Sequence, residues 1–124
     1  MNVSSIKKSQ KESQLFRAIA ALFSQTTLDD ARLQGIAVNR VKLSDDKSHA
    51  TIYFYAVGGQ PEFKEKLPFI LLYKNSLRKA LAKSINARYT PELVFKFDDQ
   101  FEKQQRIEGL LEKIKGEDSS ESSD

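Results

Sequence analysis

The sequence predicts an α+β domain, a three-stranded mixed sheet with helices packed on one face. Three observations carry that expectation. Residues 36–57 form two strand-like runs joined by a polar turn, the pattern of a hairpin. A helical stretch interrupted by a proline separates the hairpin from a third strand-like run at residues 92–97, and a helical crossover of this kind returns a strand parallel to its predecessor. Helical apolar stripes lie before and after this unit. With 124 residues, 40% of them hydrophobic, the chain has material for one core and one domain.

From Ser4 to Thr26, the residues Leu15, Phe16, Ile19, Leu22 and Phe23 recur at steps of one, three and four and share one stripe of a helix. Gly35 breaks the pattern, and Ile36 to Leu43 is a strand rich in β-branched residues. Val38 and Val41 fall out of strict alternation, which predicts a bulge or a buried edge near Asn39 and Arg40. Ser44, Asp45, Asp46 and Lys47 reverse the chain. Residues 49–57 then alternate Ala50, Ile52, Phe54 and Ala56 with Thr51, Tyr53, Tyr55 and Val57, so one face is more apolar than the other. Gly58, Gly59 and Gln60 close this strand, and Pro61 sits in the first turn of a helix, where a missing N–H is tolerated.

Pro68 cannot donate to the helix that contains it, so that helix either kinks there or restarts with Pro68 in a new first turn. From Ser76 to Ala87, Leu77, Leu81 and Ile85 form a second stripe. Thr90, ahead of Pro91, is biased to extended backbone, which leads into a strand from Glu92 to Phe97 with Leu93, Phe95 and Phe97 on its core face. Asp99 stands three residues before Glu102, a capping-box spacing, and Ile107, Leu110, Leu111 and Ile114 supply the stripe of a final helix. The folded body is expected to span residues 1–115. Residues 116–124 are Gly, Ser, Glu and Asp only, cannot bury enough apolar area to offset ordering entropy, and are expected to be disordered. The order of elements is that of a type II KH domain with one extra terminal helix.

Little in the composition supports enzymatic chemistry. Without cysteine there is neither a disulfide nor a thiolate metal site. His49, at the start of a strand, has no nucleophile at a recognisable spacing and reads as a surface or edge residue. The carboxylate pairs Asp45–Asp46 and Asp98–Asp99 read as turn and cap residues before metal ligands, and neither a GxxxxGK loop nor a GxGxxG turn occurs. No catalytic residue, metal, cofactor or small-molecule substrate is expected. No run approaches the ~18 apolar residues of a membrane span, and the polar opening from Met1 to Gln14 is unlike a signal peptide, so a cytoplasmic monomer is the expectation.

Charge is segregated along the chain. The net charge is +3, but residues 116–124 carry acids only, leaving 20 basic against 13 acidic side chains over residues 1–115. Such a body suits a polyanion, because each neutralised phosphate releases condensed counterions. The bases concentrate at Lys74, Arg78, Lys79, Lys83 and Arg88, with no acid between Lys74 and Arg88. At about 100° per residue, Lys79 and Lys83 project opposite the Leu77–Leu81–Ile85 stripe and Arg78 flanks it. A merely solvated helix face usually mixes both signs in i,i+4 pairs. Arg40 and Lys42 in the first strand, and Lys7, Lys8 and Lys11, extend the footprint. Tyr53 and Tyr55 either stack with unpaired bases or belong to a second buried face.

Several blocks of the chain resemble the ribosome-binding factor A family. Asp30, Ala31, Arg32 and Leu33, followed by Ile36, Ala37 and Val38, are similar to its Asp-Pro-Arg-Leu segment and first strand, with Ala31 in place of proline. Val41, Leu43, Ser44 and Asp46, then Ala50, Ile52 and Tyr53, resemble its hairpin. Leu77, Arg78, Leu81, Arg88, Pro91, Glu92, Leu93, Phe95 and Asp98 are similar to its Leu-Arg helix and Arg-x-x-Pro-x-Leu-x-Phe-x-x-Asp close. The resemblance implies a KH domain without the GxxG loop that binds the free 30S subunit and its 16S rRNA, without catalytic residues or cofactors, and supports late subunit maturation, notably in the cold. Where that family has an Ala-x-Gly kink between its central helices, this chain has Tyr73, Lys74 and Asn75, and Asn75 is the residue suited to left-handed geometry. From residues alone, a KH-type module for other nucleic acids and a protein-interaction domain with an acidic partner also remain open.

Overall fold

A computed structural model describes residues 3–85 and 90–122, with side chains described over 6–85 and 90–114. The first helix, α1 (Val3–Asp29), buries Leu15, Ile19 and Phe23, which the helical period brings to one side, and half-buries Phe16 and Leu22 beside them. At Asp30 it gives way to a 3-10 turn, Ala31–Leu33, capped by the Asp30 carboxylate accepting from the Arg32 N–H at 3.0 Å. Gly35 takes a φ of +90°, which a side chain would oppose, and turns the chain into β1 (Ile36–Leu43).

β1 pairs antiparallel with β2 (His49–Ala56), and β2 pairs parallel with β3 (Glu92–Phe97), giving the expected mixed sheet of three strands in the order β1-β2-β3. The register shifts between Val38 and Arg40, so the expected bulge falls on Asn39. In the hairpin turn the Asp46 carboxylate accepts from the Ser44 hydroxyl at 2.7 Å and from both the N–H and hydroxyl of Ser48. These bonds, the Ser48 hydroxyl first, hold its carboxyl well below the usual carboxylate range. The turn therefore uses this carboxylate structurally.

Two helices make the crossover from β2 to β3: α2 (Gly59–Leu72) and α3 (Lys74–Ile85). Together with α1 they cover the sheet face that carries Ala50, Ile52, Phe54, Ala56, Leu93 and Phe97, all buried. Phe54 is the centre of this core, with ring centroids 5.1 Å from Phe23, 5.2 Å from Phe95 and 5.9 Å from Phe63. Burying each side chain of this size contributes roughly 1.5–3 kcal/mol, so the layer of helices is what holds the sheet.

The structure departs from the sequence expectation at five points. The break between α2 and α3 falls at Tyr73, in the segment that the family resemblance marks as the kink, rather than at Pro68, and α2 is helical through the proline. A proline on the exposed side removes one helical hydrogen bond, whereas at Tyr73 the backbone turns to φ −96°, ψ 0° and its carbonyl accepts the Leu77 N–H at 2.8 Å to start α3. Asn75 is an ordinary helical residue of α3, and Lys47 in the hairpin turn is the non-glycine residue with positive φ among the described residues.

The last helix, α4 (Asp99–Ser122), is capped by Asp98, whose Oδ1 accepts the Phe101 N–H at 3.1 Å, one residue earlier than the Asp99 capping box. Glu102 pairs instead with Arg106 at 2.7 Å. Finally, α4 does not join the helical layer. Ile107, Leu110, Leu111 and Ile114 are each more than half exposed, and α4 continues as helix past Gly116, where the sequence predicts its end. An exposed helix tolerates glycine at a cost of about 1 kcal/mol.

Candidate nucleic-acid interface

α3 fixes the first set of basic side chains. Leu77 and Leu81 enter the core, so Lys79 and Lys83, half a turn away, stand exposed on the outer surface and make no ion pair among the described residues. Lys74, in the first turn, is half-buried. Arg78 behaves differently. It lies at the edge of the buried stripe and donates to the Thr90 carbonyl at 3.0 Å and the Pro91 carbonyl at 3.2 Å, with Glu92 3.4 Å away. Its guanidinium, expected to be a phosphate anchor, is a clamp that fastens α3 to the entry of β3. Arg88 lies outside the described residues.

The kink that aims α3 is held by Asp30, Arg32 and Tyr73, whose bonds to one another the sequence does not disclose. The buried carboxylate of Asp30 accepts from Arg32 Nε at 2.9 Å and Nη2 at 2.7 Å, and from the Tyr73 hydroxyl. These bonds, that of Arg32 first, hold the Asp30 carboxyl well below its usual range and push the Tyr73 phenol up. The Arg32 guanidinium also lies over the Phe69 ring of α2, 4.6 Å from its centroid. An Asp-x-Arg spacing at a tight turn was the visible signal. The resemblance placed Tyr73 at the kink, but nothing in the sequence pointed to its bond with Asp30, 43 residues away. Changing Tyr73 to Phe should preserve the fold but loosen the start of α3. Amide exchange at Leu77, whose N–H bonds the Tyr73 carbonyl, should quicken relative to Leu81, and unchanged protection would show that the hydroxyl does not hold the kink.

Arg40 and Lys42 sit elsewhere. In register with Tyr53 and Thr51, they belong to the sheet face away from α1, α2 and α3. Lys96 joins them, because it also pairs with Tyr53. The structure therefore divides the predicted basic residues between opposite sides of the sheet. Arg40 is engaged as well: Nε donates to Asp98 at 2.8 Å and the guanidinium lies 4.1 Å from the Tyr53 ring centroid. Tyr55 meets Phe101 of α4 edge to face at 4.9 Å. The two tyrosines are half-buried under these partners.

Asp98 joins three elements at this end of the sheet. It is 1% exposed and accepts from Asn39 Nδ2 at 2.9 Å, from Arg40, and from the Phe101 N–H that begins α4. Burial alone would raise its carboxyl, but the bonds from Asn39, the Phe101 N–H and Arg40 outweigh it and the net shift is downward. The carboxylate thus ties the β1 bulge to the cap of α4. His49 is exposed, with Nδ1 2.8 Å from the Ser48 hydroxyl. Asp45 pairs with Lys8 at 2.8 Å. Among the described residues no three acidic or histidine side chains gather to hold a metal, and no helix is long and apolar enough to cross a membrane.

Comparison with known proteins bears on this geometry. Residues 7–111 match the family described as ribosome-binding factor A. The ribosome-binding factor A of Geobacter metallireducens is 32% identical over 112 residues, covering 90% of this chain and 95% of that protein. Among solved structures, the crystal structure of ribosome-binding factor A from Thermus thermophilus is similar with a TM-score of 0.61 at 31% identity, over 72% of this chain and 93% of that one. A homology model of the Thermus thermophilus factor, fitted into a cryo-EM map of its 30S complex, gives a TM-score of 0.54 at 32% identity, over 68% and 87% of the two chains. The match runs from α1 into α4 and takes in the Asp30 turn, the kinked helices and the Asp98 junction, so the chain belongs to the ribosome-binding factor A family, whose members are non-catalytic.

Proposed function

We propose that this protein binds the small (30S) ribosomal subunit through its 16S rRNA and assists late maturation of the subunit. The observation that carries the reading is the outer surface of α3, where Lys79 and Lys83 stand exposed without an acidic partner on a helix clamped in place by Arg78. Folded RNA is recognised mostly by shape and by contacts to phosphate and sugar, and fixed ammonium groups one helical turn apart suit such contacts. Lys74, in the first turn of α3, extends the same surface, and Arg88, outside the described residues, is a further phosphate contact in this reading. The two helices broken at Tyr73, followed by β3, support a KH-type domain of the second topology in which a tyrosine-pinned kink replaces the GxxG loop.

The related factor of Thermus thermophilus fitted into a 30S map makes the small subunit the natural partner to test. Maturation follows if the protein binds an immature rRNA conformation more tightly than the mature one, since that differential affinity shifts the equilibrium between them. In sucrose gradients the protein should travel with free 30S subunits and not with complete ribosomes. Binding should weaken as salt rises, with a log–log slope of about −2 to −3 for a few phosphate contacts. Equal association with both particles, or binding insensitive to salt, would overturn the reading.

A further inference from the structure

A groove runs between the N-terminal half of α1 and the outer edge of β1. It is an open groove of about 520 Å³ lined by Ser9, Glu12, Ser13, Phe16, Arg17 and Arg40 among others, and a second hollow of 390 Å³ continues it past Lys8 and Lys42. Its position matters. α3 packs between α1 and β3, whereas this groove lies on the far side of α1, at the opposite edge of the sheet. A strand following the outer surface of α3 does not meet it.

The groove offers two cations that no acid engages. Asp98 accepts from Arg40 and Asp45 from Lys8, while Glu12 is held against the β1 edge by the Leu43 N–H at 2.6 Å and keeps its charge. Arg17 and Lys42 are exposed and make no ion pair among the described residues. The Arg40 guanidinium, at the edge of the groove, lies over the Tyr53 ring on the sheet face away from the helices, and Lys96 shares that face. The Ser9 and Ser13 hydroxyls supply neutral hydrogen-bonding groups, and Phe16 an aromatic surface. The volume is in the ordinary range of about 300–1,000 Å³ for small-ligand sites, enough for one nucleotide unit at a time.

We propose that this groove is a second RNA-binding surface, which takes an unpaired strand by phosphate contacts to Arg17 and Lys42, so that the protein bridges two RNA segments held on opposite sides of α1. Planar guanidinium and aromatic groups beside ammonium groups favour nucleotides, whose bases stack and whose phosphates are spaced along the strand, over an acidic peptide. A factor that holds two segments at once restricts their relative positions, and that is a physical route to guiding an RNA fold. The inference rests on the RNA-binding reading above, and the test separates the two.

A donor-labelled RNA hairpin and an acceptor-labelled short single-stranded RNA are mixed with the full chain, and energy transfer between them is read. Transfer should appear with the native protein. The pair Arg17→Glu, Lys42→Glu should abolish it and weaken the single strand about tenfold while the hairpin stays bound, and the pair Lys79→Glu, Lys83→Glu should abolish it by releasing the hairpin. All four side chains are exposed, so unchanged melting curves confirm intact folding. Hairpin binding without transfer, or transfer surviving Arg17→Glu, Lys42→Glu, overturns bridging and leaves the α3 reading standing. Failure of the native protein to bind either RNA overturns both. Displacement of the single strand by a glutamate-rich peptide of equal affinity overturns RNA as the occupant.

Discussion

Replacing Asp98 with alanine is expected to destabilise the protein by about 2–4 kcal/mol, a drop in Tm of roughly 10–20 °C for a domain of this size. The carboxylate is buried and serves the β1 bulge through Asn39, the sheet through Arg40 and the start of α4 through the Phe101 N–H. Its loss leaves an amide, part of a guanidinium and a helix N-terminus without their acceptor at once. Because the side chain of Arg40 is 42% exposed and retains water, the effect falls short of that for a fully buried pair. Asp98→Asn keeps an acceptor for the cap and should lose less.

The pH dependence has a definite sign. The folded-state carboxyl is depressed relative to the unfolded chain, so its contribution is complete above the unfolded value of about 4 and is lost as pH falls through the folded value. Urea melts stepped downward from neutral pH should show Asp98→Asn closing much of its gap to the native protein at the acid end. A loss below about 0.5 kcal/mol for Asp98→Ala at neutral pH would sink the account of this junction.

Periodicity disclosed most of the fold because the fold is a matter of burial. Leu15, Ile19 and Phe23 on a helix, and Ile52 with Phe54 on a strand, are spaced as their elements require, and the broken alternation at Val38 and Val41 marked the bulge that Asn39 occupies. What escaped was pairing across long separations. Asp30 with Tyr73, and Asn39 and Arg40 with Asp98, are meetings that only the tertiary arrangement creates. For the same reason Arg78 and Arg40, indistinguishable from free bases in the sequence, turn out to be engaged, and the basic residues divide between two sides of the sheet. Pro68 was the loudest local signal for a break, yet α2 runs through it and the break falls at Tyr73, where the resemblance had put the kink and where the hydroxyl bonds Asp30. The apolar residues of α4 keep a helical period without a surface to cover them among the described residues, since the Asp98 cap sends that helix away from the layer.

Charge reversal at Lys79 and Lys83 together is expected to weaken binding to the 30S subunit by at least about tenfold to a hundredfold near physiological salt, with a log–log salt slope shallower by about two. Both side chains are exposed, and neither is bonded within the described structure, so the melting temperature should hardly move. Stability and binding separate here because the ammonium groups project half a turn away from Leu77 and Leu81, which hold the helix. Arg78→Ala provides the contrast. Removing its clamp on Thr90 and Pro91 should lower stability and disturb binding only through the seating of α3. Reversing Lys113 on α4, also exposed, controls for a general change of net charge. Undiminished subunit binding by Lys79→Glu, Lys83→Glu, measured by co-sedimentation across a salt series, would remove α3 as the gripping surface, whereas equal losses from Lys113→Glu would reduce the effect to nonspecific attraction.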